Sequence, residues 1–199
     1  MKNLIIILLL LTQLDGVTQS KKLNDYYNEI CYNTEFSGKI GKPYIFKEDI
    51  YIYVVDGNKP HYLMKELRKI VGELNELMGS VNIRITNDIS KENALIYFGD
   101  PDEYVEYMNK PHRREFLKSN WGAAWISPYY DEILSVDIFI NTNESNELSI
   151  RHLLREELTQ SLGFPNDSYE YEDSIFYAPW SVVTEFSELD KQIIKKHYN

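Results

Sequence analysis

The sequence holds one cysteine, Cys31, and only four histidines, His61, His112, His152 and His197. A lone cysteine excludes an intramolecular disulfide and any cysteine-rich metal cluster. With so few histidines, an all-imidazole metal site has to be demonstrated rather than assumed. Basic residues are also short: 21 Lys and Arg stand against 31 Asp and Glu, a net charge of −10. That balance disfavours a nucleic acid or an anionic membrane as partner, since either calls for a basic face. There is no Gly-rich phosphate loop, and nothing points to a nucleotide, flavin or heme. Internal repeats and low-complexity stretches are missing too. What remains is a chain of 199 residues, 43% hydrophobic and 14% aromatic. It is long enough for one domain with a substantial core and unlike a disordered tail or a collagen repeat.

One long apolar run exists, at the start. Lys2 precedes Leu4 to Leu11, all Leu and Ile, and polar and small residues follow through Thr18 and Ser20. This is the form of a secretory signal, too short to span a bilayer comfortably, with the cut expected after Ser20. An uncleaved anchor is the alternative. The expected product is secreted or periplasmic, with no stable membrane span after cleavage. The expected organisation is a signal peptide at 1–20, an N-terminal extension at 21–45 that wraps the core, and one domain at 46–199.

Ile50–Val55 is β-branched and aromatic and reads as a strand ending at Asp56-Gly57. Pro60 opens a segment with Leu63, Met64, Leu67, Ile70, Val71, Leu74, Leu77 and Met78 at helical spacing, closed by Gly79. Val81–Thr86 alternates as a second strand, and Ala94–Phe98 is continuously apolar, as in a strand buried on both faces. Residues 100–120 read as a charged, irregular surface excursion. Gly122–Ser127 and Ile133–Ile140 read as strands joined by a turn at Pro128–Glu132. A helix spans roughly Asn146–Leu162, stopped by Gly163 and Pro165. A last helix starts near Ser187, with Asp190 completing a capping signal. The order implies an α/β (α+β) fold: a mostly parallel twisted sheet of about five strands with helices packed on it.

The informative segment runs from Arg151 to Asp167. At 100° per residue, Ile150, Leu153, Leu154, Ser161 and Leu162 define an inward face, and Glu157 falls within it. A carboxylate among leucines costs several kcal/mol unless paired, hydrogen-bonded or protonated. Glu156 and Gln160 lie at i and i+4 beside it, with His152 one turn earlier. One reading is a solvated Glu-Gln edge, with Glu157 bonded to a backbone amide, Arg151 or Arg155. The other comes from spacing. Zinc peptidases place two ligands at i and i+4 on one helix, with a general-base Glu after the first. In that frame Glu156 and Gln160 take the ligand positions and Glu157 the base position. Gly163 ends the helix, and Asn166, with Asp167 adjacent, takes the third ligand position.

On these residues the sequence resembles the metzincin clan, in its matrixin-like branch. More specifically, it is similar to a bacterial exported family of unknown function with an E-E-x-x-Q-x-x-G-x-x-N-D core. Asp173-Ser174-Ile175-Phe176-Tyr177 and Pro179 resemble the Ser-Ile-Met-Tyr-x-Pro turn under the metal, with Phe176 in place of Met. Leu189-Asp190, Ile194 and Tyr198 resemble the matrixin ending. The resemblance covers roughly residues 46–199. It implies a zincin fold with an antiparallel edge strand, a long backing helix, a site helix and a C-terminal helix. It also implies metal positions at Glu156, Gln160, Asn166 and Asp167, catalysis through Glu157, and a structural turn at Gly163, Ser174, Ile175, Phe176 and Tyr177.

All three ligand positions lack histidine. A carboxylate with amides is a weak zinc set, and oxygen-rich sets suit Ca²⁺, Mg²⁺ or Mn²⁺ better. The divalent metal, if one is held, stays open at this point. Two functions therefore compete. One is a non-catalytic pseudoenzyme that binds a peptide or an envelope or extracellular protein along the sheet edge. The other is a metallopeptidase-like hydrolase with an unusual ligand set and Glu157 as general base. In either case the bound segment is expected along Gly122–Ser127. Without a metal, Glu157 is expected to hold the turn near Ser174–Tyr177.

Overall fold

The computed structural model describes residues 20–32, 42–55, 60–143 and 146–199. The expected signal segment, Ser20 apart, lies outside the described residues, as does the Asp56-Gly57 stop. The fold is a mixed α/β one built on a single five-stranded sheet. Its strands are β1 (Ile50–Val54), β2 (Ile83–Thr86), β3 (Ala94–Gly99), β4 (Gly122–Tyr129) and β5 (Glu132–Asn141), in the order β2-β1-β3-β5-β4. All pairings are parallel except β4 with β5, so β4 is the expected antiparallel edge strand. The helices are α1 (20–32), α2 (His61–Leu77), α3 (Pro101–Met108), α4 (Arg114–Leu117), α5 (Glu147–Gln160) and α6 (Glu188–Tyr198).

The alternation of side chains across each strand divides the core in two. Ile52, Val54, Ile96, Phe98, Ile138 and Ile140 face the main core, which also takes the apolar sides of α1, α2, α5 and α6. Phe139 faces the other way and packs with Tyr104, Val105 and Leu117 from α3 and α4. β3 serves both layers, which is why it carries no polar alternation. Burying a side chain such as Ile96 or Leu154, neither of which is exposed, contributes about 1.5–3 kcal/mol each.

The structure corrects the reading of one stretch. Residues 100–120 are not irregular: Asp100 caps α3 by accepting from the Asp102 amide, Pro101 occupies the first turn, and Asn109 closes it at φ 51°. Tyr104 and Val105 are its only buried residues, too few to register as a periodic face. The polar 21–45 stretch opens with α1, whose Tyr26, Tyr27, Ile30 and Cys31 enter the main core. Elsewhere boundaries shift slightly: α2 ends at Leu77, before Gly79. The β4–β5 hairpin turns over Tyr130 and Asp131, with Tyr130 at φ 57°. The capping box of α6 forms as expected between Ser187 and Asp190.

Candidate functional site

Helix α5 packs on β4 and β5 on one side and on α2 on another, so it is buried around most of its girth. Its two arginines, the expected partners of Glu157, turn to α2 instead. Arg155, with no exposed surface, holds Glu66 at 3.2 Å and also bonds Glu73, and its guanidinium lies 4.5 Å over the Phe186 ring. Arg151 bonds Glu147 at 2.5 Å and Glu66 at 3.4 Å.

The side of α5 that meets β4 opens as a cleft of about 690 Å³. Glu156, Glu157 and Gln160 line it from the helix, Asp167 from the loop beyond, and Gly122 to Ile126 from the edge strand. Glu157 is only 8% exposed and lies against Gly122. A Cβ at Gly122 would come within 2.6 Å of Glu157 Oε1, so the glycine lets the carboxylate close on the strand. Gln160 Nε2 donates to Asp167 Oδ1 at 2.5 Å. His152 is buried, its Nδ1 2.7 Å from the Val183 carbonyl and its Nε2 3.4 Å from Glu156 Oε2. Burial works against charge on this ring, but Glu156, the Val183 carbonyl and Asp167 outweigh it and raise its pKa above the usual value.

Of the expected metal positions, the structure thus gathers Glu156, Gln160 and Asp167 at one cleft, beside Glu157. Asn166 is turned elsewhere: its amide donates to the Glu29 carbonyl of α1 at 3.2 Å and to the Asp167 carbonyl at 2.8 Å. Among the described residues, no group of three His, Cys, Asp or Glu side chains is placed to hold a metal ion. The donors at the frame positions offer no imidazole or thiolate, and one amide is spent on a backbone contact. This set does not fit a resident zinc ion.

The loop after α5 is built for close approach. Gly163 adopts φ 107°, and a Cβ there would sit 2.0 Å from the Tyr44 carbonyl oxygen. The expected turn at Ser174–Tyr177 is present and is held by Asp190 of α6, rather than by Glu157. Ser174 Oγ donates to Asp190 Oδ1 at 2.6 Å, and the Ile175 and Ser187 amides donate to Asp190 Oδ2 at 3.1 and 2.9 Å. The Phe176 amide takes Ser174 Oγ, and the Tyr177 amide takes the Ser174 carbonyl. Phe176 is fully buried against Phe164, with ring centroids 5.4 Å apart. The Tyr26 hydroxyl donates to Ser174 Oγ at 2.8 Å, which joins α1 to the same knot. Asp190→Ala is expected to cost about 2 kcal/mol, since it strips a helix cap and leaves the Ile175 amide buried without its acceptor. A urea melt of the variant checks this.

Sequence reasoning missed the aromatic rim. Trp121 and Trp180 form an edge-to-face pair with centroids 5.7 Å apart, 38% and 64% exposed. With Gly122, Leu153 and Glu157 they line a second cavity of about 570 Å³. Trp125 lines the larger cleft. All three tryptophans of the chain therefore stand at these cavities, and their scarcity was the available signal.

A family model described as "Protein of unknown function (DUF2927)" matches residues 20–199. Among solved structures, a crystal structure of myroilysin is similar at 9% identity, with a TM-score of 0.47, covering 85% of this chain and 90% of that one. A second myroilysin structure is similar at 11% identity, with a TM-score of 0.44, covering 78% and 82%. No curated protein matches the sequence.

Proposed function

The chain belongs to the DUF2927 family of proteins of unknown function, and from that premise we propose that it is an exported, metzincin-like pseudoenzyme. In this reading the degenerate zincin site is a non-catalytic cleft that binds an extended segment of a peptide, or of an envelope or extracellular protein, along β4. The observation that carries it is the pairing of an open sheet edge with side chains already committed to protein partners. Among the described residues no strand pairs with the outer side of β4, and such an edge accepts a further strand through its backbone groups. At the frame positions Glu156 faces His152, Gln160 holds Asp167, and Asn166 holds α1. Export rests on the apolar run behind Lys2. Among the described residues no helix is long and apolar enough to cross a membrane.

The placement of Glu157 in the cleft beside β4 favours a second reading, a hydrolase with a Glu/Gln/Asp ligand set and Glu157 as general base. Elemental analysis and peptide assays of the purified protein separate the two. The pseudoenzyme is expected to carry no stoichiometric metal and to cleave no peptide after supply of Zn²⁺, Mn²⁺, Ca²⁺ or Mg²⁺. Bound peptides are expected to slow hydrogen exchange at the β4 amides. Stoichiometric metal lost in Glu156→Ala and Gln160→Ala, with cleavage lost in Glu157→Gln, would overturn the proposal in favour of the hydrolase.

A further inference from the structure

The cleft beside β4 has a charge and a wall chemistry that select its occupant. Three carboxylates, Glu156, Glu157 and Asp167, line it, and among the described residues lining it there is no lysine or arginine. Beside it, Arg113 stacks on Trp125 at 4.0 Å and is bonded to Asp137, and His152 lies 3.4 Å from Glu156. Next to the cleft, the smaller cavity shares Asn120, Gly122 and Glu157 with it and is flanked by the exposed indoles of Trp121 and Trp180. Glu157, nearly buried, forms its floor, and the two indoles form its rim. An aromatic rim over a shielded carboxylate suits a long cationic side chain. The stem packs on the indoles, a guanidinium or ammonium gains from the ring faces, and the carboxylate accepts from the head. A net charge of −10 adds long-range attraction for a basic partner.

We propose that the segment bound along β4 is basic, and that one of its arginine or lysine side chains enters the cavity between Trp121, Trp180 and Glu157. This rests on the reading of β4 as a peptide-binding edge. It adds the chemistry of the partner: an extended segment whose backbone pairs with Gly122–Ile126 and whose basic residue is read by Glu157 and the two tryptophans.

The test uses the purified protein and short acetylated, fluorescein-labelled peptides that are identical except at one central position, which is arginine, lysine, citrulline, leucine or glutamate. Fluorescence polarisation reads affinity, and hydrogen exchange reads protection of β4. The arginine and lysine peptides are expected to bind at least about tenfold tighter than the citrulline and leucine ones. That preference should shrink as salt is raised. Glu157→Gln is expected to bring arginine and citrulline to similar affinity. Trp180→Ala, at an exposed position that leaves the core intact, is expected to weaken the arginine peptide about five- to tenfold. Equal binding of arginine, citrulline and leucine peptides, with β4 still protected, overturns the basic-segment inference and leaves the peptide-binding reading standing. No protection of β4 by any peptide overturns both.

Discussion

Arg155→Met is expected to lower stability by about 3–5 kcal/mol, the largest single effect foreseen for this chain. Arg155 has no exposed surface, and Glu66, its partner at 3.2 Å, is only 4% exposed. Removing the guanidinium leaves Glu66 buried against Arg151 alone, at 3.4 Å, and frees Glu73 from its contact with α5. The loss is therefore mainly the cost of a stranded carboxylate, not the worth of the ion pair. The pair itself is imperfect, since Arg155 Nε has no hydrogen-bond partner. Hence the double variant Arg155→Met with Glu66→Leu is expected to recover most of the loss, because two buried apolar side chains need no compensation. Urea melts of the wild type, both single variants and the double close the cycle. A loss under about 1 kcal/mol in Arg155→Met would mean that the α2–α5 contact does not depend on this charge. The consequence reaches function, because α5 carries Glu156, Glu157 and Gln160 into the cleft.

Elements with a regular apolar period or a complete cap were legible in the sequence. α2 follows from Leu63, Leu67, Ile70, Val71 and Leu74 on one face, and α6 from the Ser187–Asp190 box. β3 follows from its unbroken apolar run. α1 was not legible, because Tyr26, Tyr27, Ile30 and Cys31 sit among polar residues, and their burial draws on contacts with segments 148 and 170 positions away, at Ser174 and His197. At the site, spacing along one helix put Glu156, Glu157 and Gln160 together correctly. It could not say where Arg155 turns, since Glu66 lies 89 positions earlier. Nor could it say which carboxylate holds the turn. Glu157 and Asp190 were equally acidic on paper, and only the packing of α6 places Asp190 within reach of the Ile175 amide. Local spacing carries what one helix presents; tertiary contacts decide what each side chain is given to do.

Acid is expected to destabilise the protein through His197. Burial pushes this ring's pKa down from 6.5 to about 4, against the raising effect of the Tyr44 and Leu162 backbone. The folded site is made for the neutral ring: Nε2 donates to the Tyr44 carbonyl at 2.9 Å, and Nδ1 accepts from the Tyr27 hydroxyl at 3.0 Å. Cys31 stands 3.8 Å from Nδ1 with its thiol pKa pushed up by burial, so it offers no counter-charge. Between pH 6.5 and about 4 the unfolded chain therefore binds a proton that the folded chain refuses. Stability falls as pH drops through that window and levels below it, with a full loss of about 3 kcal/mol. Above pH 6.5 this group contributes no slope. Other groups titrate nearby, among them His152, whose raised pKa acts in the opposite sense, stabilising at low pH and fading as pH rises. The decisive measurement is thus a difference: stability of the wild type minus that of His197→Gln, by chemical denaturation from pH 7.5 to 4. The difference should shrink by about 2–3 kcal/mol across the range. Parallel curves would mean that the ring takes its proton in the folded state without penalty. Since His197 joins Tyr27 of α1 to Tyr44 at the cleft wall, acid strains the seam between that helix and the cleft.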